Sequence, residues 1–119
     1  MFSEKVLEHF RSPHNVGDLA DATNVAQVTN PVCGDVLRLA VRVEAGVIVA
    51  VRFKAQGCVP AIAAASATSD MIVGKTLTDS RKIKPAQIIE ALDGLPEASF
   101  HAAQLCSDAL AALAPTISR

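Results

Sequence analysis

Phe53-Lys-Ala-Gln-Gly-Cys-Val-Pro-Ala-Ile62 carries the chain from a strand-like segment, through a glycine and a cysteine, into an apolar run opened by proline. Pro60 suits the first turn of a helix, because its missing N–H would have no intrahelical partner there and its φ is already helical. Cys58 is therefore predicted at or just before a helix N-terminus. Unpaired N–H groups and the positive end of the helix dipole favour a thiolate there, the form that binds metal or attacks an electrophile. The alternative is a small buried apolar thiol. Gly57 reads as room for the backbone to turn.

Upstream of this junction, Asp35 to Val43 alternates cleanly. Val36, Leu37, Leu39, Val41 and Val43 are apolar while Arg38 and Arg42 point out, which predicts a half-buried antiparallel strand. Glu44-Ala-Gly-Val is a hairpin turn, and Ile48 to Lys54 returns with Ile48, Ala50, Val51 and Phe53 apolar and Arg52 exposed. Asn24 to Asn30 is a further strand, although Val25 and Val28 break alternation. Earlier still, Ser3 caps a helix through Arg11 with Val6, Leu7 and Phe10 as its apolar stripe. Ser12-Pro-His-Asn-Val-Gly-Asp18 is turn chemistry. His9 and His14 read as solvated or loop-bonding histidines, since no cysteine or carboxylate cluster lies beside them in sequence.

Downstream, Ala61 to Val73 is apolar or small almost all round, the mark of a helix buried in a core, with Gly74 as its C′ stop. Thr78-Asp79-Ser80 opens a polar connection. Lys84-Pro85 starts a short helix with Ile88, Ile89 and Leu92 inward, ended by Asp93-Gly94-Leu95-Pro96. The last helix spans Ser99 to Ala114 on a stripe of Leu105, Ala109, Leu110 and Leu113. The pattern is a small antiparallel sheet accompanied by helices.

The 119 residues, half of them hydrophobic, fit one domain over residues 1–119 with ample core. A net charge of −1, no Trp, no Tyr and four Phe leave neither an electrostatic footprint nor stacking platforms for nucleic acid. No apolar run approaches a membrane span, and Glu4, Lys5, Glu8 and Arg11 occupy the place of a secretory apolar core. The expectation is an unexported protein of the cytoplasm. Three cysteines, an odd count, suit metal or reactivity better than a disulfide framework.

Cys33-Gly-Asp35 sits where a turn enters the strong strand, and a thiol and a carboxylate flanking a glycine can face one metal. Cys58 and His101 add a second thiol and an imidazole. Cys33, Asp35, Cys58 and His101 would complete a tetrahedral site of the zinc or iron–sulfur kind. At this point the chain resembles the IscU/NifU N-terminal type of iron–sulfur cluster assembly scaffold. The matching stretches are Ser3-Glu-Lys-Val-Leu-Glu-His-Phe10, Pro13-His-Asn-Val-Gly17, Asn30-Pro-Val-Cys-Gly-Asp35 and Val51-Arg-Phe-Lys-Ala-Gln-Gly-Cys58. They continue with Ala61-Ile-Ala-Ala-Ala-Ser66, Gly74-Lys-Thr-Leu77, and His101 followed by Ser107-Asp-Ala-Leu110.

The resemblance covers nearly the whole chain in order. It implies an α+β, SufE/NifU-like fold, a small antiparallel sheet of about three strands with helices packed on it, in agreement with the pattern of strands and helices. It also implies that Cys33, Cys58 and His101 are cluster or metal ligands, and that Asp35 can ligate metal and keep a bound cluster transferable. The implied activity is not enzymatic. The scaffold accepts sulfur from a cysteine desulfurase, combines it with iron with the help of an iron or electron donor, and hands a [2Fe–2S] cluster to acceptor apoproteins, acting as a monomer or weak homodimer.

Two departures stand out. Where the family usually carries a third cysteine directly after the histidine, this chain has Ala102, and its remaining cysteine, Cys106, lies one helical turn on, about 6 Å along the axis. Cys106 is either a displaced ligand or a buried thiol of the Leu105 and Ala109 face. Leu95-Pro-Glu-Ala-Ser99 replaces a more basic segment read by a dedicated Hsp70 chaperone, leaving chaperone-assisted transfer without its usual lysine. Two other readings compete with the scaffold: a divergent paralogue holding zinc in a closed site on the same four ligands, and a hydrolase or thiol transferase with Cys58 as nucleophile, His101 as base and Asp35 as orienter. Ligand atoms converging on a point favour metal, and a linear Cys–His–Asp chain favours catalysis.

Overall fold

The computed structural model describes residues 1–116. Helix α1 (Glu4–Arg11) leads to strands β1 (Asn24–Thr29), β2 (Val36–Glu44) and β3 (Val47–Gln56). Helices α2 (Val59–Ile72), α3 (Leu77–Ser80), α4 (Pro85–Ala91) and α5 (Phe100–Ala112) follow, and β4 (Ala114–Pro115) closes the order. The four strands form one antiparallel sheet in the order β3-β2-β1-β4. The α+β expectation therefore holds, with four strands rather than three.

Sheet geometry explains what the sequence pattern blurred. The inward positions of β1 are Asn24, Ala26 and Val28, paired with Val41, Leu39 and Leu37, so Val25 simply faces the other side. In β3 the register shifts at Arg42/Val43 of its partner strand, which lets Ile48 and Val51 both face inward although three positions apart. Ala45 and Gly46 turn the β2–β3 hairpin with φ of 52° and 80°, the left-handed pair that a tight two-residue connection requires. Residue 114 precedes Pro115 and is driven out of helical space, so α5 stops at Ala112 and the chain adds an edge strand instead. Thr116 N–H then donates to the Thr23 carbonyl at 2.8 Å.

All the long helices lie on one face of the sheet. α2 packs on β3 and α5 on β1 and β2, with α1 against α2 and α4 against α5. Ala61, Ala63, Ala64, Ala65 and Ala67 line α2, and these small side chains let it enter the core between sheet and neighbouring helices. The Thr78–Ser80 segment, expected as a connection, belongs to a helical turn because the Thr76 hydroxyl accepts from Asp79 N–H. Among the described residues no helix is long and apolar enough to cross a membrane.

At α1 the cap is as expected, with the Ser3 hydroxyl accepting from Val6 N–H at 3.1 Å. The stripe is not. Val6 is fully buried, but Phe10 is 38% exposed and His9 turns toward α2, sharing a 2.7 Å hydrogen bond with Ser66 Oγ. The buried Ser66 hydroxyl gives an imidazole a partner, so the ring takes the half-buried position. Burial first, and the neighbouring His14 second, hold the His9 pKa below its usual value.

Candidate metal centre

The loop between β1 and β2 is tied by Asn30. Its side chain accepts from Val32 N–H at 2.9 Å, its carbonyl accepts from Gly34 N–H at 2.7 Å, and its own N–H donates to the Asp35 carbonyl at 2.8 Å. Gly34, at φ +76°, completes the turn. This puts Cys33 exposed near the loop tip and Asp35, only 5% exposed, at its base.

Cys58 is the N-cap residue of α2, with Pro60 in the first turn. Its position matches the expectation, but its acidity does not. Burial raises the thiol pKa, the Ala61 amide of the first turn opposes this only in part, and the Asp35 carboxylate beside it raises it further. The helix terminus is outweighed by desolvation and a neighbouring acid. A cation placed between sulfur and carboxylate would reverse that balance, since metal binding displaces the thiol proton.

His101 stands at the start of α5, after a 3₁₀ turn over Glu97–Ser99. Its Nδ1 lies 3.1 Å from the Ala98 carbonyl, which can only accept, so Nδ1 carries the proton and Nε2 presents a lone pair when the ring is neutral. Nε2 is 3.8 Å from Cys58 Sγ and 3.8 Å from Asp35 Oδ2, while Cys58 Sγ is 3.4 Å from Asp35 Oδ2. A tetrahedral ion with bonds of about 2.0–2.3 Å sets its ligand atoms about 3.3–3.8 Å apart, close to this triangle. Donor atoms of Cys33, Asp35 and His101 also lie within 4.8 Å of one another. Both Cys58 and Asp35 face Nε2, whereas a Cys–His–Asp relay would put the carboxylate on Nδ1. The donors converge rather than forming a chain.

The sequence reading missed the reason for Gly57. A Cβ built there would lie 2.8 Å from Asp35 Cγ and Oδ1 and 3.2 Å from Ala61 Cβ, so the glycine is the floor on which the Asp35 carboxylate rests. It also missed Ala98, whose carbonyl orients His101; a backbone group leaves no mark in the sequence. Cys106 is apart from the cluster of donors. It is completely buried, and burial pushes its thiol up to about 12. Ala102 is likewise at zero exposure within the core.

A small antiparallel sheet feeding a buried helix, with two thiols, a carboxylate and an imidazole gathered at the junction, defines the class of NifU-like scaffolds. The chain belongs to the NifU-like N terminal domain family, which it matches over residues 1–116. It is 42% identical over 110 residues to iron-sulfur cluster assembly scaffold protein IscU 1 of Archaeoglobus fulgidus, an alignment covering 92% of this chain and 72% of the relative. It is 40% identical over 116 residues to the IscU scaffold protein of Azotobacter vinelandii, covering 93% and 89%. In fold it resembles a solved structure described as an iron-sulfur cluster assembly scaffold protein for the SUF system of Fervidobacterium islandicum, with TM-score 0.77 at 21% identity, covering 92% of this chain and 93% of that one.

Proposed function

We propose that this protein is an iron–sulfur cluster assembly scaffold. In this reading the chain acts as one domain over residues 1–119, and Cys33, Asp35, Cys58 and His101 hold iron or a labile [2Fe–2S] cluster during its assembly. The observation that carries it is the spacing of Cys58, Asp35 and His101 donor atoms at 3.4–3.8 Å, near that of a bound tetrahedral ion. Mixed donors suit a cargo that must leave. Two thiolates favour iron and sulfide, while the carboxylate and imidazole exchange more readily with incoming thiols.

Sulfur drawn from a cysteine desulfurase arrives as a neutral persulfide atom, and two electrons per atom turn it into sulfide. An electron donor and an iron source are therefore required partners, with acceptor apoproteins receiving the product. The exposed Val32 beside Cys33 and Phe100 beside His101 offer apolar contacts where such partners would approach. A groove of about 210 Å³ next to His101, bounded by Asn30, Pro31, Gln104 and Asp108, gives them access. The protein works in the cytoplasm as a monomer or weak homodimer, is not itself a catalyst, and in isolation also accepts zinc on the same ligands.

The test is anaerobic reconstitution with a cysteine desulfurase, cysteine, ferrous iron and a reductant, followed by mixing with an apo-ferredoxin. The visible charge-transfer bands of a [2Fe–2S] cluster should grow on the scaffold and then move to the acceptor. Zinc uptake with no cluster bands under these conditions would favour the closed zinc paralogue instead.

A further inference from the structure

His9 at the end of α1, His14 in the following loop and Asp70 near the end of α2 form a second group of donors that the cluster site does not use. We propose that they bind one divalent first-row transition-metal ion, such as Fe²⁺, Co²⁺, Ni²⁺ or Zn²⁺, at a site independent of the cluster site. One donor atom from each of the three residues lies within 4.8 Å of the other two, and the two rings stand 4.9 Å apart at 56°. Two imidazoles and a carboxylate leave further positions for water and suit intermediate cations. Without a thiolate they disfavour copper(I), and with two nitrogens they disfavour calcium and magnesium.

The surroundings hold these side chains in place. Ser66 Oγ, completely buried, bonds His9 Nδ1 at 2.7 Å and accepts from the His14 backbone N–H at 2.8 Å. His14 Nδ1 faces Asp70 Oδ2 at 2.5 Å, and Asp70 Oδ1 accepts from Asn15 Nδ2 at 3.1 Å. His9 engages Ser66 through Nδ1 and keeps Nε2 as a donor, while the His14 Nδ1–Asp70 Oδ2 pair is the contact into which an ion would enter. Partners of this kind fix ring orientation in metal sites. Binding exchanges one Asp70 hydrogen bond for a metal–oxygen bond, a small movement for side chains that are half exposed.

Twelve helical positions separate Asp70 from Cys58, about 18 Å along α2. One ion cannot serve both places. The second ion would join α1 and its loop to α2, and metal analysis of the purified protein would count an ion that is not cargo.

The inference does not rest on the scaffold reading, and the test separates them. The full chain carrying Cys33→Ser, Cys58→Ser and His101→Ala retains only two of its three histidines, His9 and His14. Titration with Co²⁺, followed by calorimetry and by the imidazole proton resonances, should show one saturable equivalent that shifts both rings. Adding Asp70→Asn should weaken that equivalent about tenfold or more, the scale of loss seen when a metal site's supporting carboxylate is removed. The amide can still bond His14 and Asn15, so the fold should persist by circular dichroism. If the triple variant does not fold, the native chain with Cys33 and Cys58 alkylated serves in its place, its His101 resonance being read separately. No saturable equivalent, ring signals that do not move, or binding indifferent to Asp70→Asn would each overturn the proposal and leave a hydrogen-bonded seam.

Discussion

Gly57 and Asp35 occupy space that a methyl group would contest. A Cβ at 57 would sit 2.8 Å from the Asp35 carboxyl carbon, so Gly57→Ala should leave the fold intact but push the carboxylate off Cys58. Asp35→Ala removes an exchangeable oxygen donor and should slow cluster release to an acceptor while leaving binding. Gly57→Ala should slow it in the same way, and the double variant should be no slower than Asp35→Ala alone. Transfer kinetics for the three variants measure this; additive slowing would show that Gly57 acts elsewhere. The cysteines divide just as sharply. Cys33 and Cys58 are exposed, whereas Cys106 is buried with a thiol pushed up to about 12. Native protein should therefore take up a maleimide at two of its three thiols, and at the third only in denaturant. Mass mapping that finds Cys106 labelled in the native state would contradict this. Cys106→Ala should accordingly leave cluster content unchanged.

At the scale of elements, α2 supports both its ends with different chemistry. Its N-terminus carries Cys58, and its second half anchors α1 and the loop after it through Ser66. Ser66→Ala would leave the His14 N–H and the His9 ring without their buried partner, at a cost of about 1–3 kcal/mol. Urea denaturation should show a lower midpoint with unchanged slope; an unshifted midpoint would mean that water replaces the hydroxyl. The longer elements were legible because one periodicity governs each. Leu37, Leu39 and Val41 alternate on β2, and the alanine run of α2 leaves no polar face to expose. β4 was not legible, since two residues ending in proline carry no pattern and its pairing partners, Asn24 and Val25, are far away in sequence. Nor was the inward turn of His9, because hydrophobic spacing selected Phe10 and the deciding partner, Ser66, comes from another helix. In the site, the donor types and their order along the chain pointed to metal. The protonation of Cys58 was misread, because the helix dipole is local whereas burial and Asp35 come from the tertiary structure.

As a whole, the molecule is a sheet packed with helices that brings the β1–β2 loop, the N-terminus of α2 and the start of α5 to one place. Donors drawn from three separate elements make an ion there a cross-link of the tertiary fold. A bound ion stabilises the folded chain by mass action, about 4 kcal/mol at a thousandfold excess over its dissociation constant. The melting temperature should rise with ferrous iron or zinc, and Cys58→Ser should remove the share of that rise that comes from the cluster site. The most direct measurement is the iron and acid-labile sulfide content of the protein after anaerobic desulfurase-driven assembly, compared among the native chain, Cys33→Ala and Cys58→Ala. Acid-labile sulfide should appear on the native chain, matched one to one by iron beyond the ion held at His9, His14 and Asp70, and should fall to background in both variants. Zinc without labile sulfide on the native chain, or full sulfide on both variants, would contradict the scaffold reading.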